Sequence, residues 1–302
     1  GSLAATIMNA LIAVYYRPTS FPWLPGLGEV RRVLSFGSKL TLSSIVAIIS
    51  TSAPELLLGK LQGLAAAGLY SRASGLVHMF YRLFVDAVAA VCLPWFAKQS
   101  REQGDFVEPF LKATAYVSAL GWSFCLGAVF LAHPLVRALY GNQWDQAVDL
   151  ARLLAVAMAF SVPASLCGTA LLSSGAVTSV VRVTAYNAVI GLMLIAIGAS
   201  QGLMAMGFAA IASAAVNCSF WIRATSKQIQ LPILRFLHSL KKSALVALAA
   251  GIGPAAVCAI YGAYPAAWVT PLLIGSISGL GGFLLATIVL RHPLRDESLL
   301  AW

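Results

Sequence analysis

The chain has 302 residues, of which 60% are hydrophobic and only 10% charged, with a formal net charge of +10. A soluble domain carries about 25% charged residues, and uncharged stretches near 20 residues recur along this whole sequence, so a water-soluble fold is excluded and lipid is the solvent for most of the surface. The Lys and Arg residues lie in short tracts between apolar runs rather than on one face or tail, a pattern for orientation in a membrane and not for nucleic acid.

Apolar runs and their punctuation predict about nine membrane-spanning helices, near residues 1 to 16, 35 to 59, 65 to 97, 113 to 133, 146 to 172, 183 to 200, 204 to 222, 244 to 262 and 267 to 290. Helices are required because backbone groups in lipid must be satisfied within their own segment, and no alternating barrel-strand pattern is present. The first run opens at Gly1-Ser2 without Met or a basic leader and is too short to span, so the sequence is expected to be a fragment whose upstream part is missing. Segment 22 to 36 reads as a turn and a short amphipathic helix, and segment 228 to 240 has the same character. These divide the chain into residues 1–34 (a truncated span and amphipathic linker), a six-helix lobe over 35–227, and 228–302 (a connector and a terminal helix pair).

The connections alternate in charge. One set holds fifteen cations (Arg17, Arg31, Arg32, Lys39, Lys98, Arg101, Lys112, Arg182, Arg223, Lys227, Arg235, Lys241, Lys242, Arg291, Arg295), and the other holds two, Lys60 and Arg137. The positive-inside rule therefore predicts that the first set and the C-terminus are cytoplasmic in a multi-pass protein. Cys92, Cys125, Cys167, Cys218 and Cys258 all fall inside apolar runs without metal-ligand spacing, so neither disulfides nor a metal are expected. No cofactor motif, P-loop or hydrolase signature is present, which argues against an enzyme or a nucleotide-driven pump.

The run from 65 to 97 concentrates charge within a span. At ~100° per residue and with Arg72 at 0°, Ser71, His78, Arg82 and Asp86 fall within an arc of roughly 120°. Each intramembrane charge is costly unless it meets a cavity or a partner. The stripe is thus a candidate cavity wall whose guanidinium forks suit a multi-oxygen anion; the alternative is that Arg82 and Asp86, four residues apart, neutralise one another. His78 is a candidate proton relay or a packed histidine. Glu55, beside Pro54, is a candidate for ion coupling or a boundary charge near Lys60. Asp149 and Arg152 read as interfacial, and Asn187 and Asn217 as interhelical hydrogen bonders.

Two stretches are more specific. Residues 56–73, with Gly59, Gly63, Gly68, Tyr70 and Arg72, resemble the junction between the first two helices of the C-terminal lobe in polysaccharide-transporter flippases of the multidrug/oligosaccharidyl-lipid/polysaccharide exporter superfamily. Residues 139–154 resemble that family's tyrosine-glycine-x-x-tryptophan turn through Tyr140, Gly141 and Trp144. The resemblance extends over about 1 to 227. It implies an all-α polytopic bundle forming the C-terminal lobe of a two-lobed alternating-access transporter, with a missing N-terminal lobe as its partner. The implied activity is flipping of undecaprenyl-pyrophosphate-linked oligosaccharide across the bacterial cytoplasmic membrane for surface polysaccharide assembly, in contact with membrane lipids and with no nucleic acid. Two rivals stand beside it. A multidrug-type exporter of the same superfamily would favour an acidic or aromatic cavity, and a membrane-embedded polysaccharide polymerase or acyltransferase would need a large outer loop.

Overall fold

A computed structural model of the chain describes Thr6, Met8, residues 30–101 and residues 106–290. Every regular element among the described residues from 30 onward is helical. They are α1 (Val30–Leu61), α2 (Leu64–Phe80), a π-helical turn (Tyr81–Val85), α3 (Asp86–Arg101), α4 (Val107–Phe130), α5 (Ala132–Tyr140), a 3-10 segment (Asn142–Ala147), α6 (Val148–Ser161), a second 3-10 segment (Val162–Ala164), α7 (Cys167–Ser173), α8 (Val177–Gln201), α9 (Leu203–Gln228), α10 (Ile233–Ser239), α11 (Lys241–Tyr261) and α12 (Val269–Val289). Eight segments among the described residues are long and apolar enough to cross a membrane. The ninth expected span, 1 to 16, lies outside the description except for Thr6 and Met8, as does the expected turn over 22 to 29.

Helix boundaries depart from the hydropathy reading where backbone chemistry, not polarity, decides. The separate amphipathic helix expected up to residue 36 does not form, because α1 runs without interruption from Val30 and accommodates Pro54 within it. The span near 65 to 97 is two helices joined by the π turn, with Pro94 inside the second. The span near 146 to 172 is broken after Ser161 by the 3-10 turn Val162–Ala164. Pro163 supplies the cause there, since it has no N–H to continue the ladder and its ring crowds the preceding turn. By contrast, the connector at 228 to 240 does contain its short amphipathic helix: α10 keeps Phe236 1% exposed while Leu234 is 81% exposed.

Several consecutive spans are joined by connections of one to three residues, at 62–63, 174–176 and 202. Gly63 sits at φ 92 and Gly141 at φ 88, in the left-handed region where a side chain is penalised. Helix α1 packs on α2 and α8, α8 on α9, and α9 on α6, while α6 also meets α2 and α4 and α3 meets α7. The terminal pair α11 and α12 pack on each other, and α11 fastens them to the lobe through α4. Without a hydrophobic drive between helices in lipid, close contact depends on small residues. A Cβ on Gly207 of α9 would stand 2.5 Å from the Leu153 side chain, and one on Gly282 of α12 would stand 2.7 Å from the Ala249 carbonyl oxygen.

Candidate functional site

The predicted charges are left uncovered by the rest of the described residues. Arg72, His78, Arg82 and Asp86 are all exposed, Ser71 is half-buried, and Glu55 on the adjoining α1 is exposed. The electrostatic influence of both Arg82 and Glu55 reaches His78, so the α1 carboxylate and the stripe belong to one neighbourhood. The mutual neutralisation of Arg82 and Asp86 is not formed: no ion pair joins them among the described residues. They flank the π turn, whose extra residue alters the helical phase by about 100° and ends the straight-helix angular reading at Tyr81.

Arg72 has a different environment from the rest. Its guanidinium carbon lies 5.1 Å from the centre of the Trp144 ring and 5.6 Å from that of Tyr140. The fit is made by glycines on the same face of α2: a Cβ on Gly68 would meet the Trp144 ring at 3.7 Å and one on Gly75 would meet the Tyr140 hydroxyl at 3.0 Å. Gly68, Arg72 and Gly75 are four and three residues apart and so share that face. The two stretches that read as separate motifs are therefore packed against each other, and Gly68 serves the tryptophan rather than the helical hairpin. One face of the guanidinium rests on aromatic rings, which fixes its plane while the fork of N–H donors stays open.

Behind the aromatic turn lies a polar network that sequence reading left almost untouched. Arg137 donates to Asp145 through Nε at 2.9 Å and through Nη2 at 2.6 Å, a bidentate pair. His133 is 1% exposed, with Nε2 3.7 Å from Asp145 and its ring edge-on to Tyr264 at 5.2 Å. Burial holds its imidazole below the ordinary histidine range, and Arg137 and Arg152 act in the same direction against Asp145. Tyr264, in the turn between α11 and α12, donates to Asp149 at 2.6 Å, while Arg152 donates to Asp149 at 2.7 Å and to the Ala263 carbonyl at 2.9 Å. This links the terminal pair to the aromatic turn. The only signal in the sequence was a tyrosine in a Gly-Ala-Tyr-Pro turn, whose apolar body and polar tip suit an interface.

A second polar site joins α1, α8 and α9. Asn187 Nδ2 donates to Asn217 Oδ1 at 3.1 Å, the interhelical bond expected of these residues. A cavity of about 310 Å³ beside the pair is lined also by Ser50, Thr51, Thr184 and Ser213. Among the described residues no cluster of three or more His, Cys, Asp or Glu is placed to hold a metal ion.

Comparison with known proteins bears on the whole arrangement. Residues 1–149 match the family described as Polysaccharide biosynthesis protein, an extent that includes both the 56–73 stretch and Tyr140 to Trp144 but ends short of residue 227. The chain is 26% identical over 163 residues to the teichuronic acid biosynthesis protein TuaB of Bacillus subtilis, covering 54% of this chain and 34% of that protein. It is 25% identical over 130 residues to the lipopolysaccharide biosynthesis protein WzxC of Escherichia coli, covering 43% of this chain and 26% of that one. With the succinoglycan biosynthesis transport protein ExoT of Rhizobium meliloti it shares 26% over 140 residues, 45% of this chain and 28% of the relative. The chain thus spans about a third or less of the length of these curated relatives. In three dimensions it superposes on the lipid II flippase MurJ in its inward closed conformation with a TM-score of 0.68 at 14% identity, over 90% of this chain and 57% of that one. Residues 1–149 are therefore similar to the polysaccharide biosynthesis proteins, and the chain shares the membrane-helical fold of the lipid II flippase.

Proposed function

We propose that this chain forms the C-terminal lobe of a two-lobed exporter that moves undecaprenyl-pyrophosphate-linked oligosaccharide across the bacterial cytoplasmic membrane. The observation that carries the reading is the open charge stripe: Arg72, His78, Arg82 and Asp86 stand exposed on a membrane helix and are not neutralised within the lobe. Lipid alone is a poor surroundings for such groups, so a water-filled cavity facing a second lobe is their natural solvent. Arg72, clamped on Trp144 and Tyr140, and Arg82 take the pyrophosphate, and Asp86 keeps Arg82 oriented once the cavity is assembled. Glu55, whose charge reaches His78, takes the coupling cation or proton. The fifteen-to-two distribution of cations supports a cytoplasmic C-terminus and an outer position for Tyr140 to Trp144. Short connections at 61 to 64 and 201 to 203 favour a transporter over a polymerase or acyltransferase, and two arginines against one aspartate favour an anionic cargo over the organic cations of a multidrug exporter.

The test is export of surface polysaccharide by the two-lobed transporter at matched protein levels. Arg82→Ala is expected to abolish export and Arg82→Lys to retain part of it, because lysine keeps the charge and loses the fork. Recovery of export in the double variant Arg82→Ala with Asp86→Ala would mean that the two residues serve only each other, and would overturn the cavity reading.

A further inference from the structure

On a different side of the lobe, α11 packs against α4 and not closely against α9, and the space between them is an apolar groove of about 470 Å³. Trp122 of α4, Phe160 of α6, Ile222 of α9 and Phe236 of α10 form its walls and floor, with Leu240 and Lys241 at the start of α11. No residue of α1, α2 or α3 lines it, so it is separate from the charge stripe. Its shape is fixed by anchored rings. Trp122 Nε1 donates to the Ala159 carbonyl at 2.7 Å, and Phe236 stacks on Phe110 with ring centres 6.3 Å apart. The helix α10 that carries Phe236 is held to the foot of α4 by Arg235, which donates to Glu108 at 3.1 Å.

The geometry points to this groove as a binding site for an anionic phospholipid, with one acyl chain in the apolar channel and the headgroup phosphate on the Lys241 ammonium. Two observations identify the class. The groove is a space of about 470 Å³ whose lining is apolar apart from Lys241, a surface suited to an acyl chain. The charge at the mouth has one sign: Lys241 is the only charged residue lining the groove, is exposed, and has no acidic partner among the described residues. Lys241 is the first residue of α11, toward one end of the apolar segment Ile233–Tyr261, and α10 lies beside it with Ile233, Leu234 and Leu237 exposed as an interfacial helix presents them. A zwitterionic lipid brings its own ammonium to that mouth and gains less from Lys241, so the site discriminates by headgroup charge.

Trp122 reports on the groove directly. The protein would be reconstituted in vesicles of fixed phosphatidylethanolamine and phosphatidylglycerol composition, with bromine on the acyl chains of one lipid or the other, and the Trp122 contribution to fluorescence quenching isolated by comparison with Trp122→Phe. Brominated phosphatidylglycerol is expected to occupy the groove with about fivefold preference, the effect of one lysine near a membrane surface. Lys241→Gln should bring the two lipids to parity, and Ala244→Phe, which fills the groove, should abolish Trp122 quenching by both with helix content unchanged. Parity in the unaltered protein, or a preference that survives Lys241→Gln, would overturn the site. So would displacement of brominated phosphatidylglycerol by an equal mole fraction of a polyprenyl phosphate, which would assign the groove to a prenyl chain.

Discussion

Two charged regions lie on this lobe and they are built oppositely. Behind the Tyr140 to Trp144 turn the charges are satisfied: Arg137 grips Asp145 with two bonds, and Asp149 accepts from both Arg152 and Tyr264. On α2, the π turn and α3, the side chains of His78, Arg82 and Asp86 have no ion pair among the described residues, although each is costly in lipid. The charges that fasten helices are paired within the lobe, and those of the stripe are left open among the described residues. Arg72 belongs to both regions, since aromatic rings hold it in place and it has no ion pair among the described residues.

The sharpest way to break this contrast is to remove one member of each region and measure unfolding in detergent. Trp144→Ala deletes a half-buried ring that packs on Gly68 and Arg72, and should cost about 2 to 3 kcal/mol by the area it buries. Arg82→Ala removes a side chain without a partner among the described residues and should stay within about 0.5 kcal/mol of the unaltered protein. Equal destabilisation by the two changes would make the stripe structural.

Acidification separates the regions in a second way, through His133. Its folded imidazole is held below the ordinary histidine value of 6.5, with burial as the largest cause, whereas the unfolded chain titrates near that value. The unfolded state therefore binds the proton first, so stability is fully present above pH 6.5 and falls as pH drops below it. The groups facing the ring are Asp145, Arg137, Arg152 and Tyr264, and the carboxylate limits the loss without cancelling it. His133→Asn should flatten the fall in unfolding midpoint between about pH 7 and 5. An unaltered protein that loses no more than the variant on acidification would show that His133 is not held neutral.

Hydropathy located the spans because lipid imposes length and polarity on every crossing segment, and the cation count supported their alternation. It was blind to the π turn at Tyr81 to Val85, since a change in backbone bonding leaves composition unchanged. The break at 162 to 164 was more legible, because Pro163 marks it. The candidate charges were visible as violations of the apolar rule. What fixes Arg72 was not, because Trp144 and Tyr140 lie about 70 residues away and their packing on Gly68 and Gly75 is a property of the fold. For the same reason Tyr264 was missed: its partners Asp149 and Arg152 come from a helix more than 100 residues earlier.

The smallest expected effect concerns the neutral pair Asn187 and Asn217, a control for both charged regions because it is polar, intramembrane and uncharged. The two amides share one bond of 3.1 Å, in which Asn187 donates, and the remaining oxygen Oδ1 of Asn187 is buried without a partner. Interhelical hydrogen bonds in membranes contribute about 0.6 kcal/mol on average, since an unfolded segment in lipid also finds partners, so the coupling in a double-mutant cycle should be of that size. The single changes should differ. Asn217→Ala strands the donor of Asn187 beside an acceptor already unsatisfied, whereas Asn187→Ala removes that acceptor together with the bond and leaves only the Asn217 oxygen in a cavity lined by Ser50, Thr51 and Ser213. Asn217→Ala should therefore destabilise more than Asn187→Ala. The reverse order would mean that the Asn187 oxygen has a partner in the membrane, and the cavity of about 310 Å³ beside it would then hold an ordered polar ligand or water instead of acting as a passive gap between α1, α8 and α9.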